Sequence, residues 1–302
     1  MPLPSPPGRP PGWIPPGQRS PQVIMGGSKV VGVGHRVVAS SGAGPSGFVD
    51  GHTLSQMMTI MGDRAIRMFL PFFETDAADN TPVQDAGPRA HHFLKHTTSD
   101  YDPYIKGHVL AYRLNGVDEA FDMADNDDFS MGADGTAPNE PAFTLGIAVR
   151  FDRTTDTTLI TRYNGVAPQD VEWRLYTGGT SLLSFRLYDD IGADCIGRIY
   201  NTALAVDRWH IIMLTYDSSR VSTGIRMYLD GVRVDNANLD AGNYVAMHNQ
   251  AVPTMVGYSL DGVGAPNWFF GGDVWGPFIT KKCLSAGEVL SLTNLYRRVL
   301  GL

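Results

Sequence analysis

Nine residues, "FTLGIAVRF" (143–151), alternate without a break. Phe143, Leu145, Ile147, Val149 and Phe151 fall on one side, and Thr144, Gly146, Ala148 and Arg150 on the other. Side chains of a strand point alternately to its two faces, so this spacing predicts a strand with one face in a core. The small residues opposite leave room for a neighbouring layer. "VEWRLY" (171–176) and "LSFRLY" (183–188) repeat the alternation. "WHIIMLTY" (209–216) is apolar on both sides, as expected of a central strand. Within "MYLDGVRV" (227–234), Asp230-Gly231 separates two strand-forming runs. Both residue types tolerate the positive φ that a two-residue hairpin turn demands, so a hairpin is predicted there.

Helical spacing occurs in two places. In "DGHTLSQMMTIMGDRAI" (50–66), Leu54, Met57, Met58 and Met61 share a side, with Thr53 as the expected cap. Near the end, Ser285 stands three residues before Glu288 as a capping box, and Val289, Leu292, Leu295, Tyr296 and Val299 follow at helical spacing. Between the two, turn residues divide short strands roughly every 8–15 residues, which argues for an antiparallel sandwich.

Residues 1–21 contain nine prolines and show no strand or helix period. Such a stretch favours an extended polyproline II arm that forms no core of its own. The chain therefore divides into an extended Pro/Gly-rich arm (1–50), a short helical connector (51–64) and a β body (65–302). "KVVGVGHRVV" (29–38) within the arm is a candidate strand pair.

Charge is unevenly distributed. The whole chain carries −7, yet Arg9, Arg19, Lys29 and Arg36 precede the first acidic residue, Asp50, leaving the remainder at −11. An acidic body argues against nucleic acid as the main partner, and the basic arm suggests docking to an acidic surface. Arg9, Trp13, Ile14 and Arg19 are the candidate docking residues, with folding back onto the arm's own body as the alternative. No apolar run reaches the roughly 18 residues of a membrane helix. Prolines interrupt the N-terminus where a signal peptide would need an apolar stretch, so none is expected. Cys195 and Cys283 fit no zinc or redox spacing and are expected as buried thiols or one optional bridge.

Several segments, in order, resemble the laminin G-like, concanavalin A-like jelly-roll family. They are "MFLPFFETDAADNTPVQDAGPRAHHF", "YRLNGVDEAFDMADNDDFSMG", "FTLGIAVRF", the pair "DRWHIIMLTYD" and "IRMYLDGVRV", and "FGGDVWGPFITKKCLSAGEVLSLTNLYR". The resemblance covers about residues 65–302. It implies a two-sheet antiparallel jelly-roll sandwich with a short C-terminal helix, in which Trp209 and Tyr216 help to fill the space between the sheets. It also implies where a calcium ion would sit. The closing-strand carboxylate of that site falls on Trp275, with Asp273 two residues away, so calcium is a candidate that the ligand set does not complete.

Enzymes of this fold use Glu-x-Asp-x-x-Glu on a central strand. The nearest approach is Glu74, Asp76 and Asp79, whose last position is one methylene short, and no catalytic residue is assigned. His91, His92 and His96 are candidate zinc ligands, but the His92/His96 pair would share a face only on a helix, where an extended segment is expected. "DNDD" (125–128) lacks the spacing of a dedicated calcium loop and reads as a solvated turn. "GVGAPNWFFGG" (262–272) places Asn267, Trp268, Phe269 and Phe270 in a Gly-rich loop suited to a glycan or a protein partner.

The resemblance, to modules of the kind found in tailed-phage virion proteins, implies a non-enzymatic virion protein, a capsid decoration or a tail or head fibre component. It would be assembled in the host cytoplasm among capsid or tail subunits, as a homo-oligomer without a cofactor. The alternative is an extracellular carbohydrate-binding, lectin-like module, with a host surface glycan as its ligand.

Overall fold

Alternation dictates the two sheets. The computed structural model describes residues 49–73, 82–97, 101–131, 140–154, 156–165, 170–179, 181–189 and 194–302. The candidate docking residues Arg9, Trp13, Ile14 and Arg19, the candidate 29–38 strand pair and the acids Glu74, Asp76 and Asp79 lie outside them.

Among the described residues, the first sheet has eight strands. Its order is Val232–Arg233, Ile225–Leu229, Trp209–Tyr216, Phe143–Phe151, Gly271–Thr280, Val109–Asn115 and Asp102–Lys106, and Ile66–Phe69 also pairs with Gly271–Thr280. The second runs Ala237–Asn238, Asp194–Ala203, Leu182–Asp189, Asp170–Thr177, Thr157–Asn164, Thr254–Val256, Phe121–Met123 and Leu94–Lys95. Ser259–Leu260 and Pro266–Asn267 extend it beside Thr157–Asn164. Spatial neighbours such as Phe143–Phe151 and Gly271–Thr280 are far apart in sequence, which is the crossover pattern of a jelly-roll sandwich.

The core lies between the sheets. Phe143, Leu145, Ile147, Val149 and Phe151 are all buried, and the Phe143 ring lies 6.3 Å from Phe185 of the second sheet. Tyr216 joins this layer, 5.6 Å from Phe143. Trp209 does not. It pairs with Arg150, whose side chain is on the outer face, because Trp209 and Tyr216 are an odd number of positions apart on one strand.

The outer face of Phe143–Phe151 receives a further layer, as its small residues require. Trp275 lies opposite Ala148 and Phe278 opposite Gly146, across a bulge at Gly276 (φ +60°). The extra residues bring both aromatics to the face covered by α2 (Ala286–Leu300). Tyr296 of α2 meets Trp275 at 4.7 Å and donates a 2.6 Å bond to the Gly276 carbonyl. A side chain at position 146 would approach Phe278 to 2.5 Å.

Helix caps fix the ends of this layer. In α2 the Ser285 hydroxyl accepts from Glu288 N and the Glu288 carboxylate accepts from Ser285 N, the reciprocal capping box. In α1 (Gly51–Met61), Asp50 rather than Thr53 is the cap, accepting from Thr53 N at 2.6 Å. The helix starts early enough that Thr53 lies within its first turn. Thr53 is buried and accepts a bond from Arg298 of α2. Met57, Met58 and Met61 belong to the same core as the strands.

The Asp-Gly hairpin forms as its sequence predicts. Asp230 and Gly231 have φ of 54° and 86°, between Leu229 and its partner Val232. The Asp230 carboxylate accepts from Ile211 N and ties the turn to the adjacent strand.

Candidate binding surface

The aromatic loop is built by two local turns. Asp261 accepts from the N–H groups of Val263 and Ala265, which hold its carboxyl below the usual range and shape the loop tip. Asn267 then pairs with Ser259, and its side-chain oxygen accepts from Trp268 N at 2.7 Å. Trp268 itself has φ +52°, a conformation rarely adopted by a bulky residue. Its carbonyl accepts from Thr158 N at 2.9 Å, which anchors the loop on the second sheet.

This reversal separates the three aromatics. Phe269 turns inward and stacks on Tyr258 (5.6 Å, 12° between planes), beside His96. Phe270 is buried against Phe151, out of reach of any ligand. Trp268 stays half-buried at the surface, with the Arg174 guanidinium 4.7 Å from its ring. Asn267 is exposed. Of the four loop residues singled out in the sequence, Asn267 and Trp268 are the ones that present polar and aromatic groups outward.

Both line an open cleft of about 590 Å³ with Arg153, Asp156 and Val117. Arg153 donates to the carbonyls of Gly116 (2.8 Å) and Phe269 (3.3 Å), so its guanidinium is held in place by main chain. Val117 is 70% exposed. A fixed cation, a carboxylate, an amide and an aromatic edge around one open space suit a ligand that carries hydroxyls on an apolar ring frame. Arg153, Asp156 and Val117 were not singled out from the sequence. Each is an ordinary loop residue until the fold brings it to Trp268.

Other sequence candidates serve the fold. Asp125 and Glu172 both bond Arg162, which is fully buried. Asp127 accepts from Asn249, and Asp128 pairs with Arg67, Arg89 and His91. The "DNDD" turn is solvated as expected, with Asp125 and Asp127 exposed, and its carboxylates also clamp loops to the sheet. His92 accepts from Asp85 N, and His96 pairs with Asp122, so the three histidines diverge onto different partners. Cys195 and Cys283 are free thiols.

Asp273, two residues before Trp275, belongs to a row across the outer face of the first sheet. Trp209, Arg150, Asp273, Arg113 and Asp102 are successive cross-strand partners. Asp273 is 1% exposed, between Arg150 and Arg113. The row lines a second open cleft of about 610 Å³, where Arg150 pairs with Asp207 and Asp273, and Arg113 with Asp152 and Asp273.

No family model matches the sequence, and no curated protein matches it. Solved structures do resemble the fold. The binding domain of Paraclostridial Mosquitocidal Protein 1 aligns with TM-score 0.56 and 16% identity over 78% of this chain and 53% of that one. The botulinum neurotoxin serotype D binding domain aligns with TM-score 0.53 and 11% identity over 79% and 52%. The serotype D ligand-binding domain in complex with N-acetylneuraminic acid gives the same values. This chain spans about half the length of those chains. At such identities the shared property is the β-sandwich fold.

Proposed function

We propose that the sandwich is a non-catalytic recognition module that binds saccharide in the cleft beside Trp268. The observation that carries this reading is the composition of the cleft. Trp268 supplies a ring for the C–H face of a sugar, while Arg153, Asp156 and Asn267 supply donors and acceptors for its hydroxyls. Among the described lining residues Asp156 is the one carboxylate, whereas glycoside hydrolysis ordinarily requires two flanking one bond. Supporting the class, the fold occurs in binding domains, one of them bound to N-acetylneuraminic acid.

A glycan array probed with the intact chain tests the proposal. Selective binding that is lost in Trp268→Ala supports it. Binding that is indifferent to that substitution, or absent throughout, removes it.

A further inference from the structure

We propose that the saccharide bound beside Trp268 is anionic, and that Arg153, with Arg174 behind the Trp268 ring and Arg186 beside Arg174, reads the ligand's charge. This rests on the saccharide reading above and specifies its substrate class.

In this acidic protein most of the described arginines are ion-paired. Arg67, Arg89, Arg113, Arg150, Arg162, Arg198, Arg208, Arg220, Arg226 and Arg233 each lie within salt-bridge distance of a carboxylate. Among the described residues, Arg153, Arg174 and Arg186 form no ion pair. Neither do Arg64, Arg297 and Arg298, but these lie just past the end of α1 or in the last turn of α2, where a helix C-terminus favours positive charge. The other three have no such field: Arg153 shares the cleft with Trp268, Arg174 sits against the Trp268 ring, and Arg186 is the cross-strand partner of Arg174.

Arg174 and Arg186 bring like charges together, while burial, which lowers the Arg186 pKa, is outweighed by the neighbouring tyrosines that push it up. Arg174 and Arg186 are direct cross-strand partners, a position where like charges repel. Arg174 is 9% exposed, and its Nε is buried without a hydrogen-bond partner. Burial pushes its pKa down, against the tyrosines that favour its charge. The rings of Tyr176 (4.5 Å), Trp268 (4.7 Å) and Tyr163 (5.1 Å) surround the guanidinium. Aromatic faces stabilise a cation without neutralising it. The positive charge is therefore retained, partly desolvated, behind the ring that lines the cleft. An acid arriving with the ligand supplies the missing counter-charge.

Arg153 is the group placed to touch it. It is exposed, lines the same cleft as Trp268, and is pre-oriented by the Gly116 and Phe269 carbonyls. Its planar fork suits a carboxylate or a sulfate ester, either of which takes two parallel hydrogen bonds. Arg174 and Arg186 act through their field, which salt screens less where charges are buried. Asp156 remains as an acceptor for hydroxyls and disfavours an acid at its own end of the cleft.

The test titrates the full chain with matched glycans, each sialylated or sulfated member beside its neutral parent, at about 20 and about 300 mM NaCl. The acidic member is expected to bind at least about tenfold more tightly than its parent at low salt, a difference of about 1.4 kcal/mol. High salt narrows the gap. Arg153→Gln removes most of it, Arg186→Gln part of it, and Arg153→Lys keeps the salt dependence while weakening binding. The order of carboxylated and sulfated members identifies the anion. Equal binding of acidic and neutral members, or a gap that survives Arg153→Gln, overturns the inference and leaves the saccharide reading standing. Failure of every glycan removes that reading instead. Unfolding midpoints of the variants verify that each is folded.

Discussion

The guanidinium of Arg174 lies 4.7 Å from the centre of the Trp268 ring, joining a central strand of the second sheet to the loop that lines the cleft. The contact explains how a residue with φ +52° is held. The Thr158 N–H fixes its carbonyl, the Asn267 side chain accepts from its amide N–H, and a buried cation carries its ring. The proposed recognition ring is thus anchored to a sheet rather than carried on a free loop.

Arg162 and Glu172 form a fully buried ion pair that also binds the 125–126 turn and the Gln250 carbonyl. Burial pushes the Glu172 carboxyl upward, opposed by the Arg162 charge and its hydrogen bond. Arg162→Met leaves that carboxylate uncompensated and is expected to destabilise by about 3–5 kcal/mol. The double variant Arg162→Met/Glu172→Leu should recover much of the loss. Urea unfolding of the three proteins checks both statements.

Glu288 gives a pH signature. The bond from Lys282, with those from Ser285, holds its carboxyl down to about 2 against an ordinary 4.5. Because the folded value is the lower one, the stabilisation is fully present above about 4.5 and fades as pH falls toward 2. The group is partly exposed, so solvent screening limits its contribution to about 0.5–1 kcal/mol. Glu288→Gln should therefore lower stability at pH 7 and converge with the parent near pH 2, as measured by urea midpoints across that range.

The Pro-rich arm is a separate proposal. Deleting residues 1–21 is expected to leave the unfolding midpoint and glycan binding of the sandwich unchanged while removing attachment to a larger assembly. Trp13→Ala should reproduce much of that loss, since buried aromatic anchors dominate interfaces. Co-sedimentation with assembled particles reads the outcome, and undiminished attachment of the truncated chain contradicts the arm's role.

Much of the fold was legible because its signals are local. The alternation at 143–151, the doubly apolar 209–216 strand, the Asp230-Gly231 turn and the Ser285–Glu288 box each act within a few residues. Trp209 was misplaced by the family resemblance, although its odd spacing from Tyr216 already put the two on opposite faces. The binding surface was half legible. An aromatic run was visible, but the turn at Trp268 that buries Phe270 and keeps Trp268 half-exposed was not. Arg174 and Arg186 carry no motif, and their opposition follows only from the register between two strands.

Trp268 is the floor of the proposed saccharide site. Isothermal titration of the full chain with the tightest glycan from an array, beside Trp268→Ala and Trp268→Phe, measures this directly. We expect at least about tenfold weaker binding for Ala, near-parental binding for Phe, and less than about 2 kcal/mol change in stability for either. Unaltered affinity in a folded Trp268→Ala protein would contradict it.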